Sequence, residues 1–139
     1  MPMVVDASFM LALLLPDEEL SDSAFYFSQI IDVGMVVPAH WNAEISNAMV
    51  MALRRQRITA AYRRDALLRL ADLPIDRDMQ SIPAFFGDTL HLSDRHKLSA
   101  YDASYLELAL RLQLPLATMD KALAASAIAE GVKVFGPYQ

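Results

Sequence analysis

Four short apolar runs, separated by stretches of helical periodicity, constrain this chain more than any other feature. Met3 to Val5, Met35 to Pro38, Leu114 to Thr118 and Val132 to Phe135 are too short for buried helices and rich in Val, Leu and Met. Each therefore reads as a strand. The first ends in Asp6-Ala7-Ser8, after which Phe9 to Leu15 has room for two helical turns before Pro16 stops it. Ser21 to Ile31 carries aromatics at Phe25 and Phe27, and Gly34 releases the chain into the second strand. Trp41 to Arg54 is predicted helical, with Trp41, Ile45, Ala48 and Ala52 on one stripe, and Thr59 to Ala71 forms the next helix. Pro74-Ile75-Asp76 fits a short edge strand, Ser81 to Leu90 a helix, and Ser93-Asp94-Arg95 a polar turn. Tyr101 to Gln113 and Ala122 to Glu130 complete the helices, the last closed by Gly131.

Strands alternating with helices imply an α/β chain with a three-layer α/β/α arrangement around a central parallel sheet. Ligands in such folds sit at the carboxyl ends of the strands, where each strand hands over to its helix. With 139 residues, 55% of them hydrophobic, residues 1–139 are expected to form a single domain. A net charge of −5 removes a general basic coat for nucleic acid, so any polyanion must be met locally or through a metal ion. Zero cysteines exclude disulfides, thiolate metal sites and thiol nucleophiles, and point to a reducing compartment. The apolar run before Pro16 is far shorter than the roughly 20 residues of a membrane span, and the first charge is Asp6, so the expected location is the cytosol. A mean hydropathy of +0.25 suggests more apolar surface than a small monomer hides, hence a homodimer or a partner groove.

Acids stand at the handovers. Asp6 follows the first strand, Asp102 opens the helix after Ser99, and Asp120 follows Leu116-Ala117-Thr118. Each could simply cap a helix, because a carboxylate there satisfies loose backbone N–H groups and complements the dipole. Ser99-Ala100-Tyr101-Asp102 has the form of a capping box with Asp in place of Glu. Glu44 is different: one turn into its helix, roughly 60° from the centre of the apolar stripe, it has no capping role. Four carboxylates within about 5 Å of one another would repel by roughly 3 kcal/mol per ionised pair at an effective dielectric of 20. Such a group needs a cation or raised pKa values, and oxygen ligands without Cys or His favour Mg²⁺ or Mn²⁺ over zinc or copper.

The same residues carry a family resemblance. Val4-Val5-Asp6-Ala7-Ser8, Ala43-Glu44, Tyr101-Asp102-Ala103-Ser104-Tyr105-Leu106 and Leu116-Ala117-Thr118-Met119-Asp120-Lys121 stand in the order found in PIN-domain ribonucleases. Among these the chain resembles the VapC-type toxins of bacterial and archaeal toxin–antitoxin operons, over essentially its whole length. The resemblance implies a PIN-like fold, with Asp6, Glu44, Asp102 and Asp120 as the acidic metal site and Ser8 and Thr118 as polar supports. It also implies Mg²⁺- or Mn²⁺-dependent endoribonuclease activity, with a metal-activated water attacking the phosphodiester to leave a 3′-hydroxyl and a 5′-phosphate. A homodimer restrained by a co-encoded antitoxin is the implied assembly.

The remaining polar features carry weaker signals. His40, His91 and His96 form no zinc motif and read as surface or packing residues. Arg54, Arg55, Arg57, Arg63 and Arg64 form the basic cluster, which fits a solvated helix face better than an RNA contact. Tyr101 and Tyr105, one helical turn apart, suggest a core face rather than a stacking pair. Eight Met residues suit adaptable packing. The helix Phe9 to Leu15 together with Phe25 and Phe27 is expected to wall a groove beside Asp6. Two other classes stay open: a receiver-like phospho-accepting domain, which usually has an acidic pair after its first strand where Val4-Val5 precede a single Asp6 here, and a non-catalytic PIN-fold binding module.

Overall fold

The computed structural model describes residues 1–18 and 20–139. Strands β1 (Met3–Val5), β2 (Met35–Pro38), β3 (Ile75–Asp78), β4 (Leu116–Ala117) and β5 (Val134–Phe135) form one sheet in the order β3-β2-β1-β4-β5, every neighbouring pair parallel. Helices α1 (Ala7–Leu14) and α2 (Ser23–Val33) link β1 to β2, and α3 (Trp41–Arg54) and α4 (Ala60–Ala71) link β2 to β3. Helices α5 (Ser81–Ala84), α6 (Asp88–His96) and α7 (Ala100–Leu112) then return the chain to β4, and α8 (Lys121–Ala129) leads to β5.

The strand order reverses between β1 and β4. With right-handed crossovers, the helices of the β1-β2-β3 half cover one face and those of the β3-β4-β5 half the other. Packing agrees: α1 touches α3 and α3 touches α4, while α7 touches α5, α6 and α8 and lies on β1, β2 and β4. β1, β2 and β4 are buried along their whole lengths, as expected for the interior of a parallel sheet. Edge strand β3 reads Ile75-Asp76-Arg77-Asp78, with its two central residues exposed. The core gathers Phe9, Met10 and Leu14 from α1, Trp41 and Met49 from α3, and Tyr105, Leu106 and Leu108 from α7.

Two details differ from expectation. On α3 the buried stripe is Trp41, Ile45, Met49 and Ala52, because Met49 turns inward where Ala48 is only half-buried. The segment expected as one helix from Ser81 is two, α5 and α6, broken at Phe85 to Gly87, and Ser93-Asp94-Arg95 lies inside α6 rather than in a turn. α6 buries only Thr89 and Leu92, so most of its surface is polar and its sequence resembles a loop. It ends at Lys97, in the left-handed region at φ 56.

The last strand is held at Gly136. Its φ of +128 belongs to glycine, and a Cβ there would stand 2.8 Å from the Thr118 carbonyl oxygen. This close approach lets the Thr118 N–H donate to Phe135 O at 3.2 Å.

Candidate functional site

The reversal point between β1 and β4 puts the carboxyl ends of both strands beside each other, the position at which α/β folds bind ligands. Asp6 leaves β1 there. It is 2% exposed and caps α1, its Oδ1 accepting from the Phe9 N–H at 2.8 Å and from the Ser8 hydroxyl at 2.8 Å. Its Oδ2 accepts from the Thr118 hydroxyl at 2.5 Å. Thr118 in turn accepts from the Asp120 N–H at 3.0 Å, and Ser8 from the Met119 N–H at 3.2 Å. Ser8 and Thr118 thus tie the end of β1 to the end of β4.

Asp120 caps α8 through the Leu123 N–H at 2.9 Å. Asp102 is not a cap; Ser99 takes that role for α7, accepting from the Asp102 N–H at 3.0 Å, and leaves the Asp102 carboxylate half-buried in the first turn. Glu44, in the first turn of α3, accepts from the Tyr105 hydroxyl at 2.6 Å and has His40 Nε2 3.0 Å from the same oxygen. Capping and clustering therefore coexist: two of the four acids hold helix ends and still face the others.

The acids feel one another's charge. Burial pushes the Asp6 carboxyl up to about 7 against three hydrogen bonds that pull it down, and the charge of Asp102 adds to the rise. Asp102 is raised by burial and then by Asp120 and Glu44. Tyr105 is held protonated by burial and by Glu44. The donors are all oxygen and their charges oppose one another, which fits a hard divalent cation. Asp6, Glu44 and Asp120 accept from protein donors, and among the described residues no three His, Cys, Asp or Glu groups share a ligating position. Among the described residues, Glu44 Oε2 and Asp120 Oδ2 carry no protein hydrogen bond.

A cleft of about 570 Å³ opens beside these acids, lined by Ser8 and Leu11 of α1, Glu44 and Asn47 of α3, His40 and Tyr101. It is continuous through Ser8, Leu11 and Ala48 with a second cleft of about 370 Å³ that reaches Arg55 and Arg57. The groove is walled by α1 and α3. Phe25 and Phe27 do not line it: Phe25 packs against Tyr26 and Phe135, and Phe9, expected on the wall, is buried in the core.

Other residues fall as follows. Arg57 is clamped by Asp17, with Nε at 2.7 Å and Nη2 at 2.9 Å, and reaches Glu18 at 3.2 Å. Arg64 pairs loosely with Asp65 at 3.7 Å. His96 and Arg95 both meet Glu130, and His91 is exposed beside Asp88. Tyr101 and Tyr105 do not share a core face, since Tyr105 is buried and Tyr101 is 61% exposed at the cleft mouth. His40, read from sequence as a surface or packing residue, is the residue that sequence reasoning missed. No spacing connects it to Ser104 Oγ at 3.2 Å; only its place four residues before Glu44 hinted at a role.

A parallel α/β sheet with opposed carboxylates at its reversal point defines a class of acidic-site α/β domains. Residues 3–130 match the PIN domain family. Over 121 residues the chain is 31% identical to ribonuclease VapC3 of Mycobacterium tuberculosis, covering 87% of this chain and 84% of that protein. Among solved structures, PAE2754 from Pyrobaculum aerophilum aligns with a TM-score of 0.69 at 24% identity, over 96% of this chain and 83% of that one. FitAcB from Neisseria gonorrhoeae aligns with a TM-score of 0.67 at 17% identity, over 99% of both chains. The chain belongs to the PIN-domain family and, through its likeness to VapC3, to the VapC-type members that its motifs resemble.

Proposed function

We propose that residues 1–139 act as a single-domain, Mg²⁺- or Mn²⁺-dependent endoribonuclease, the toxin of a toxin–antitoxin pair. The observation that carries this reading is the set of four acids at the strand reversal, where Asp6 and Asp102 are raised by burial and then by neighbouring carboxylates, and where no Lys or Arg is paired with any of the four among the described residues. A divalent cation held by Asp6, Glu44, Asp102 and Asp120 would supply neutralisation of the scissile phosphate and activation of the attacking water. The chain's own residues prepare that place. Ser8 and Thr118 orient Asp6, and Tyr105 and His40 orient Glu44. Kinship with a protein named ribonuclease VapC3 supports RNA as substrate.

The α1/α3 groove, apolar at Leu11 and Ala48 and acidic at Glu44, suits an amphipathic antitoxin segment that carries apolar anchors and an Arg or Lys. Exposed Leu67, Leu68 and Ile82 supply apolar surface for a homodimer. We place the pair in the cytosol, where RNA and a neighbour-encoded antitoxin would meet. The test is purified, partner-free protein incubated with total RNA with and without Mg²⁺, followed by mapping of the cut ends. Discrete cuts only with the metal, ending in 3′-hydroxyl and 5′-phosphate, are expected. Intact RNA under both conditions overturns the reading.

A further inference from the structure

The 570 Å³ cleft is large enough for a nucleotide, yet among the described residues no Lys or Arg lines it and Glu44 stands in its wall. Apart from a cation held by the acids, nothing among the described residues of the cleft wall would neutralise a phosphate there. The neutral part of a nucleotide is the base, and the cleft mouth offers a surface for one. Tyr101, 61% exposed, is the residue next to Asp102 in the first turn of α7. Its ring is braced on one side by His40, with centroids 5.8 Å apart at 52°. His40 stands edge-on to Phe85 at 5.1 Å and to the buried Tyr105 at 5.6 Å. A ring backed on one side loses less freedom when something stacks on its open side than a ring with no neighbour. Asn47, exposed on α3 in the same cleft, offers an amide to a base edge. The cation needed for the backbone lies further along: Arg55 lines the adjoining cleft and forms no ion pair among the described residues.

We infer that Tyr101, braced by His40, is a stacking platform for one unpaired nucleobase of single-stranded RNA beside the scissile phosphate. The inference rests on the ribonuclease reading and names how that site holds its substrate. Affinity at this point comes from a base face, so duplex RNA, whose bases are already stacked on each other, is excluded.

The experiment measures binding without cleavage. A fluorescently labelled oligoadenylate of eight nucleotides and an abasic ribose-phosphate oligomer of the same length are titrated with the full chain by anisotropy, with no divalent ion added. The wild type is expected to bind the oligoadenylate roughly tenfold tighter than the abasic oligomer. Tyr101→Ala and Tyr101→Leu should abolish that difference by weakening only the base-bearing oligomer, whereas Tyr101→Phe should keep it, since the ring and not the hydroxyl stacks. Equal affinity for both oligomers, a preference that survives Tyr101→Ala, or no measurable binding by the wild type overturns the platform. Cleavage assays separate the two claims. If the wild type cuts RNA and Tyr101→Ala cuts it with the same KM, the platform alone fails; if the wild type cuts nothing while the base preference persists, the nuclease reading alone fails.

Discussion

Two carboxylates in this protein are almost equally buried and are treated in opposite ways. Glu107, 4% exposed in the middle of α7, has Arg111 one turn further on, its Nε 2.7 Å away. Arg111 also reaches Asp78 at 2.6 Å and so ties α7 to the end of β3. Asp6, 2% exposed at the end of β1, has no cation partner among the described residues; its three donors are neutral, and its carboxyl is pushed up to about 7. Where a buried charge serves architecture, the chain supplies the counterion from its own helix. Where it leaves the charge opposed by neighbours, stability is sacrificed at a place where chemistry can use the charge.

The largest effect that would break this comparison is catalytic. Asp6→Asn or Asp102→Asn should lower Mg²⁺-dependent RNA cleavage by about 100-fold or more, with circular dichroism unchanged, whereas Glu107→Gln should stay within a few-fold of the wild-type rate. Cleavage lost equally in all three variants would mean that the two acids do not differ in kind.

The next effect is on stability. Asp6 rises from 3.8 in the unfolded chain to about 7 in the folded one, so the folded state holds its proton more tightly. Its contribution is fully present below pH about 4 and is lost as pH climbs through 7, by up to about 4 kcal/mol. Denaturant titrations in EDTA should show stability falling from pH 4.5 to 8, with a flatter profile in Asp6→Asn. That variant should also melt no lower than the wild type at pH 8.

Arg111→Met takes the cation from both Glu107 and Asp78 and should cost about 3 kcal/mol at pH 7. Denaturant titration of this variant against the wild type reads the loss. A smaller shift is expected from Mg²⁺ or Mn²⁺, which at a hundred times Kd stabilises by about 2.7 kcal/mol. Thermal melts should show this at pH 8 more than at pH 5.5, where protons compete for the carboxylates. No response to either ion would leave the four acids without the ligand that reconciles them.

What was legible in the sequence follows from the range of each interaction. β1, β2 and β4 are apolar on both faces, so their runs announced a parallel sheet, and an acid directly after a strand could be placed at its carboxyl end. α6 was not legible as a whole, because a helix that buries only two residues has almost no periodic signal. The Tyr105 hydrogen bond to Glu44 spans 61 residues and the Arg111 bond to Asp78 spans 33, and no local spacing encodes either. Tyr101 and Tyr105 show the same limit. Their spacing places them one turn apart, but it is the position of α7 over the sheet that buries one and leaves the other open.

The hydrogen bond from Thr118 to Asp6 joins residues 112 apart, and this separation also has a meaning in time. At a synthesis rate of about 5–20 residues per second, Asp6 waits about 6–20 s before Thr118 exists. During that interval β1 has no β4 beside it, and Asp120 has not been made. β5, whose pairing with β4 is completed at Phe135 and Gly136, follows last. The growing chain therefore carries Asp6 through the synthesis of 112 further residues, up to Thr118, before its site can assemble.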